Sequence, residues 1–294
     1  MNRPRVSAFP KCYLDDIANG DMNLFDWIEM SRSLGAEALE MYSGWLPKDS
    51  EGLAKVRAAV EATGQVCSLM CYSSDFTHPD PTYRAAEIER QKLAIDQTLA
   101  LGGSHCRILS GQRRPDVSRE DGVRWVVESI RSSLAYAAEK RIVLAMENHF
   151  KDGIWEFPEF AQQADVFLEI IAQVDSPWFG VQYDPSNNVV AGDDPVWFLE
   201  QVKDRVVAMH ASDRYLEEGV TLDDLKQADG TLGYPDGLCH GVTGQGLNDY
   251  DAIFRILRSV GYSGWISIED GMNGMDEMKA SIDFLKRKID EYFG

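Results

Sequence analysis

Five apolar residues, 142–146 in the run RIVLAMENHF, give way at once to Glu147, Asn148 and His149. Apolar and β-branched side chains without polar alternation suit a strand covered on both faces. A carboxylate, an amide and an imidazole at the C-terminal end of such a strand stand where α/β proteins place their chemistry. Three later stretches end alike: FGVQYD at Asp184, VVAMH at His210 and WISIE at Glu269. Glu147, Asp184, His210 and Glu269 are together a set of hard and borderline ligands for one divalent ion.

Each residue has an ordinary alternative. Glu147 and Glu269 could be salt-bridged rim carboxylates. Asp184 precedes Pro185, and Asp-Pro commonly opens a turn. His210 sits among apolar residues and could be a satisfied core group. Recurrence at the tips of four successive strands selects the ligand reading over these. His149, two residues past a ligand, belongs to the same rim as a base or acid, or else caps loop backbone. His240 in the loop LCHGVTGQG could reach the site. Trp45 and Trp155 follow strands, and aromatic faces pack on sugar rings or in lids. Tyr72, Asp75 and His78 are weaker candidates after the third strand.

The elements that must position these groups alternate along the chain. Strands are expected at 5–9, 36–42, 65–72, 104–110, 142–146, 179–184, 205–210 and 265–269. Helices are expected at 24–34, from 50 to 64, from 81 to 103, and at 119–140, 159–174, 248–260 and 276–292, with a shorter one from Asp194. Gly35 and Gly261 act as C-terminal stops, and Pro81 sits where the first turn tolerates it. Units spaced mostly by about 25 to 40 residues suit repeated βα crossovers. The connections 151–158 and 211–247 are read as loops. The second is long and rich in Gly, Asp, Pro and Thr, and a loop of that length in a compact domain is usually functional.

Eight such units make an α/β fold, expected here as a closed (β/α)8 barrel. In a barrel the ends of strands 5 to 8 converge on one rim, whereas an open sheet would spread them along a line. The dinucleotide fingerprint is absent, because GVTGQG has the wrong spacing and follows no strand. A barrel needs roughly 250 residues, and the chain has 294. No linker or low-complexity tract interrupts 1–294, so one domain is expected.

The formal charge of -19 argues against a nucleic-acid backbone as partner. No apolar run reaches the roughly 18 residues of a membrane span, and the start lacks a secretory core. A cytoplasmic protein is expected. Five scattered cysteines suit reduced thiols. Cys67 and Cys71, four apart on a strand, are expected to share a face as core thiols.

The motifs AMENHF, QYDPSN, AMHASDR and SIEDG resemble the xylose isomerase-like barrels, the sugar phosphate isomerase/epimerase superfamily. The resemblance covers the whole chain. It implies a TIM barrel in which Glu147, Asp184, His210 and Glu269 hold one ion, manganese first, with magnesium, cobalt or zinc also compatible. The DNA-repair endonucleases of the superfamily add further histidines for three zincs, and this chain has only five histidines in all. Ketose epimerases of the family place a substrate-binding histidine where this chain has Asn187. They place an arginine where it has Leu216, with Asp213 and Arg214 coming earlier. Asn187, Asp213 and Arg214 therefore join His240, Trp45 and Trp155 as expected substrate contacts. The ENH run resembles relatives that cleave C-glycosides of 3-keto sugars with a partner subunit.

The resemblance implies a metal-dependent keto-sugar isomerase or epimerase. Glu147 and Glu269 would exchange the proton beside the carbonyl through an enediolate, with His149 as a further base or acid. A metal-dependent lyase or dehydratase on a keto sugar is the alternative, and a non-catalytic sugar-binding barrel the third reading. A homo-oligomer is expected, with a second kind of subunit as the variant. No recognisable phosphate cradle follows the last strands, which favours a non-phosphorylated sugar.

Overall fold

A computed structural model of the chain describes residues 3–226 and 235–294. β1 (Arg5–Ala8) leads through two short helices, α1 (Leu14–Asn19) and α2 (Leu24–Ser31), to β2 (Ala38–Tyr42). Then come α3 (Ser50–Ala62), β3 (Val66–Cys71), α4 (Pro81–Ala100), β4 (His105–Ile108) and α5 (Arg119–Lys140). β5 (Val143–Glu147) precedes α6 (Ala164–Gln173), β6 (Phe179–Tyr183), α7 (Pro185–Ala191) and α8 (Pro195–Val202). β7 (Val206–Ala211) is followed by β8 (Asp213–Leu216), α9 (Leu222–Lys226) and β9 (Leu238–Gly241). α10 (Tyr250–Ser259), β10 (Trp265–Ile268) and α11 (Met275–Phe293) end the chain.

Eight parallel strands close on themselves in the order β1-β10-β7-β6-β5-β4-β3-β2. This is the (β/α)8 barrel, and the expected strands are its staves. Side-chain capping starts most helices: Asn23, Asp49, Asp80, Ser118, Asp184, Asp194 and Asp249 each accept a first-turn amide. No helix among the described residues is long and apolar enough to cross a membrane.

Period-two geometry sorts each stave into an outward and an inward row. Leu144 and Met146 join the large core between strands and helices, and so do Val181, Tyr183, Met209, Ala211, Ile266 and Ile268. The residues between them face the barrel axis. Ala145 and Ala208 belong to a small interior cluster with Phe9, Leu69 and Cys71. Small groups there leave space above them for Glu147 and His210.

Three expectations need correction. The 211–247 connection is not all loop: β8 and β9 pair antiparallel, with Arg214 opposite His240. Residues 227–234 of that connection lie outside the described residues. The helix expected from 159 begins at Ala164, because 159–163 run along the β4 loop with Phe160 N bonded to Gly111 O at 2.6 Å. Cys67 and Cys71 do not share a face. The β2–β3 register slips between Leu39↔Cys67 and Met41↔Met70, so β3 carries one extra residue. That bulge reverses the parity of the rest of the strand, leaving Cys67 in the outer core and Cys71 inside the barrel.

Candidate metal centre

The inward row of four adjacent staves ends in ionisable groups. Ligand atoms of Glu147, Asp184, His210 and Glu269 all lie within 4.8 Å of one another. Three of the four are wholly buried, and Glu269 is 7% exposed. His210 Nδ1 stands 2.9 Å from Glu147 Oε1 and 3.4 Å from Glu269 Oε2.

The set fits a divalent cation on a specific observation. Asp184 Oδ1 is saturated: it accepts from Ser186 N at 2.8 Å, Asn187 N at 3.3 Å and Ser212 Oγ at 2.8 Å. Asp184 Oδ2 is buried with no partner. A buried carboxylate oxygen left bare costs free energy unless something charged meets it. Asn148 fixes this aspartate in turn, donating Nδ2 to Asp184 O at 2.6 Å and accepting Asp184 N at 2.9 Å. Burial, then the charges of Glu269 and Glu147, push the Asp184 carboxyl up to about 6.

Cations hold the two glutamates ionised. Arg107 Nη1 donates to Glu147 Oε2 at 2.8 Å, and Lys11 Nζ lies 3.2 Å from Glu269 Oε1. Burial alone would raise Glu147, but His210 and Arg107 outweigh it and bring it down to about 2. Burial is likewise overcome at Glu269 by Lys11 and His210, which hold it well below the usual range. His210 would be lowered by burial, but Glu40, Glu147 and Glu269 outweigh that and keep it well above an ordinary imidazole.

Glu40, Arg107, Lys11 and Glu159 are contributors that sequence reasoning misses. Glu40 Oε1 lies 2.8 Å from His210 Nε2 and accepts from Cys71 Sγ at 2.7 Å. Glu40, Cys71 and His210 thus form a second buried ligand-type group sharing the histidine. A lone charge inside an apolar stave, as in ALEMY or HCRIL, is the available signal.

The other expected site residues divide. Asn187 Nδ2 reaches Glu147 Oε1 at 3.5 Å. His149 bonds through Nδ1 to buried Glu159 at 3.1 Å, with Trp155 edge-on to its ring at 6.2 Å. Glu159 and Glu147 outweigh burial there, so the imidazole is raised. Half-buried Trp45 stacks on Phe9 at 5.9 Å and meets Tyr42 at 5.4 Å. Half-buried His240 is pushed down to about 3 by burial and by the charges of Arg214 and Lys11. Arg214 is buried and donates Nη1 to Asp213 O at 2.9 Å.

Asp213 has a different role from the one expected. Its carboxylate accepts the backbone amides of Arg214, Gly244, Gly246 and Asn248, so it organises its own loop. Tyr72, Asp75 and His78 are also committed elsewhere. Tyr72 donates to Glu87 at 2.9 Å, Asp75 pairs with Arg114 at 2.5 Å, and His78 stacks on Tyr83 at 4.1 Å.

A parallel eight-stave barrel with a carboxylate–imidazole cluster at its C-terminal mouth defines the class of protein. Within that class, the chain belongs to the xylose isomerase-like TIM barrel family, whose model matches residues 28–288. It is similar to inosose dehydratase from Bacillus thuringiensis (strain Al Hakam), at 24% identity over 136 residues, 45% of this chain. The chain spans 42% of the length of that curated relative. Among the solved structures that share the fold are two of note. A D-tagatose 3-epimerase-like protein matches with a TM-score of 0.76 at 15% identity, over 98% of both chains. The IolI protein with a bound zinc atom matches with a TM-score of 0.75 at 15% identity, over 99% of both chains.

Proposed function

We propose that this chain is a divalent-metal-dependent enzyme that isomerises or epimerises a keto sugar, beginning with removal of the proton beside the carbonyl. The observation that carries the reading is the meeting of four strand-end ligands around a carboxylate oxygen without a partner. Glu147, Asp184, His210 and Glu269 would hold the ion, manganese first, with magnesium, cobalt or zinc as alternatives. When bound, such an ion supplies a Lewis acid for the carbonyl oxygen and its neighbouring hydroxyl.

The remaining work falls to side chains. Arg107 and Lys11 keep Glu147 and Glu269 as carboxylates, so either can accept a proton. The two stand on β5 and β10, separated by β6 and β7 in the ring. One can take the proton and the other return it, to the opposite face or to the neighbouring carbon. The Phe9–Trp45–Tyr42 wall offers an apolar face to a sugar ring. Asn187, Arg214 and His240 supply polar contacts in this reading.

A second reading is a lyase or dehydratase on a keto sugar. The His149–Glu159 pair favours it, because an imidazole can protonate a leaving oxygen near neutral pH. Similarity to inosose dehydratase supports the same outcome.

The test is a panel of ketoses, inososes and 3-keto-glycosides with added manganese in deuterium oxide. Isomerised or epimerised sugar carrying solvent deuterium supports the first reading. An unsaturated or deglycosylated product supports the second. No ion in protein purified without chelators, together with turnover of nothing in the panel, overturns both. Glu147→Gln and Glu269→Gln should each abolish turnover; full activity in both would remove them from proton transfer.

A further inference from the structure

Glu159 lies outside the four-ligand cluster, yet it is wholly buried beside it. Its two oxygens have separate duties. Oε1 accepts Ser110 N at 2.6 Å and Ser110 Oγ at 2.6 Å. Oε2 faces His149 Nδ1 at 3.1 Å. The Ser110 hydroxyl also accepts Ala161 N at 3.0 Å, and its own hydrogen has Glu159 Oε1 at 2.6 Å against Gly111 O at 3.5 Å, which favours Glu159. A backbone N–H cannot reverse its role, and this fixes the Oε1 side as an acceptor. On the other side an ionised carboxylate can only accept. With Glu159 ionised and the ring neutral, His149 Nδ1 must then carry the hydrogen and Nε2 the lone pair.

The surroundings keep that ring in place. Trp155 stands edge-on to it, with an interplanar angle of 89°. The loop carrying both residues is fastened to the β4 loop and, through Ser73, to the loop after β3. Arg113 N donates to Pro158 O at 2.8 Å, Gln112 Oε1 accepts Glu156 N at 2.9 Å, and Ser73 donates to Asp152. The imidazole keeps 12% of its side-chain surface exposed, and its hydrogen bond to Glu159 engages Nδ1, not Nε2.

We infer that Glu159 is a positioning residue: it holds His149 in the Nδ1–H tautomer and so leaves Nε2 as the nitrogen that meets substrate. That His149 moves a proton rests on the function proposed above; the tautomer does not. In the reaction, the carbon proton goes to one of the two glutamates, and the Nε2 lone pair takes a proton from a substrate hydroxyl. The imidazolium so formed, its Nδ1–H still on Glu159, returns that proton to product or to a leaving oxygen. The ring ends neutral.

Glu159→Gln tests this sharply. Ser110 N still requires an oxygen, so the new amide NH2 must face His149. Nδ1 can then only accept, and the hydrogen moves to Nε2. The protein is labelled with ¹⁵N-histidine, loaded with magnesium and examined by long-range ¹H–¹⁵N correlation, with His149→Asn assigning the signal. At a pH where the ring is neutral, the wild type should show a protonated Nδ1 and an unprotonated Nε2, and Glu159→Gln the reverse. If the variant fails to fold, the wild-type spectrum still decides: a neutral ring with its hydrogen on Nε2 overturns the inference.

Kinetics then test the consequence on whichever sugar of the panel is consumed. Glu159→Gln should lose roughly 10²–10⁴-fold in kcat, the scale of a misplaced imidazole proton. KM and manganese affinity should stay within about threefold, and Glu159→Asp should recover part of the loss. A reversed tautomer with undiminished kcat overturns the positioning role in catalysis. A wild type that consumes no sugar counts against the proposed function and leaves the spectroscopic result standing.

Discussion

Glu40 and His210, 170 residues apart, meet across the barrel interior with Oε1 2.8 Å from Nε2. Nδ1 of the same ring faces Glu147 and Glu269. A hydrogen bond that holds Nε2–H leaves Nδ1 as the nitrogen able to grip a cation. Glu40→Ala should therefore weaken manganese binding by about 10- to 100-fold, the usual cost of losing such a partner. Competition against a chelator measures this, and an unchanged affinity would free His210 from dependence on Glu40.

Asp184 trades stability for its task. Burial and the neighbouring glutamates raise its carboxyl to about 6, so the charged form at neutral pH strains the metal-free protein. Asp184→Asn keeps an oxygen for Ser186 N and Asn187 N while removing the charge. In the presence of a chelator at pH 7 it should be more stable than the wild type by about 1–3 kcal/mol. The same variant should lose manganese protection against thermal unfolding. A chelated variant that melts below the wild type contradicts the argument.

Arg107 and Glu147 should be energetically coupled. Both are buried, at 5% and 0% side-chain exposure. Arg107→Met strands a carboxylate and should cost about 3–5 kcal/mol in urea denaturation. Adding Glu147→Gln should recover part of that loss, with a coupling of about 1–3 kcal/mol. Strict additivity of the two changes would show that the pair does not act as one.

Gly111 is needed where it stands. Its φ is +108°, and a Cβ there would come 2.5 Å from Asp75 Oδ1 and 2.7 Å from Phe76 N. Gly111→Ala should cost roughly 2–4 kcal/mol, combining backbone strain with crowding. Because Gly111 O accepts Phe160 N, hydrogen exchange at 159–161 should rise as well. Normal protection of those amides would separate the two loops.

Acid sensitivity has an identifiable source at the other end of the barrel. Burial, then the charge of Arg5, push the His105 imidazole down to about 4. The unfolded chain binds that proton near pH 6.5, so it holds more protons than the native state between the two values. The contribution is fully present above about 6.5 and is lost as pH falls toward 4. Partial exposure limits its size to about 1–2 kcal/mol. His105→Gln should flatten the stability curve in that window relative to the wild type; parallel curves would exclude it.

The barrel, and the meeting of four ionisable strand ends on its rim, are readable in the sequence because the signal is local. An apolar run that ends in Glu147 or Asp184 needs only its own five or six residues to be seen. Glu40 and Arg107 are harder, since one charge inside a stave looks like a half-exposed position until the ring closes around it. The inward row is also concealed. Ala145 and Met146 are both apolar, and the difference that matters is size. Spacing alone misplaces Cys71 for want of one extra residue in β3, which no spacing rule reveals. Pairing of β8 with β9 joins two four-residue segments separated by the 211–247 connection's middle, so neither carries enough alternation to be recognised. Glu159 resembles a helix start, and only its bonds to Ser110 and His149 explain why the helix waits until Ala164.

The ring is divided in its labour. β5, β6, β7 and β10 form one contiguous arc and carry the four-residue carboxylate–imidazole cluster, while Lys11, Glu40, Arg107 and the Phe9–Trp45–Tyr42 wall come from the arc of β1 to β4. On the proposed function, the residues that would set what the enzyme accepts are therefore separate from those that would grip a cation. A library confined to residues 42–46 would explore new molecules against an unaltered anchor.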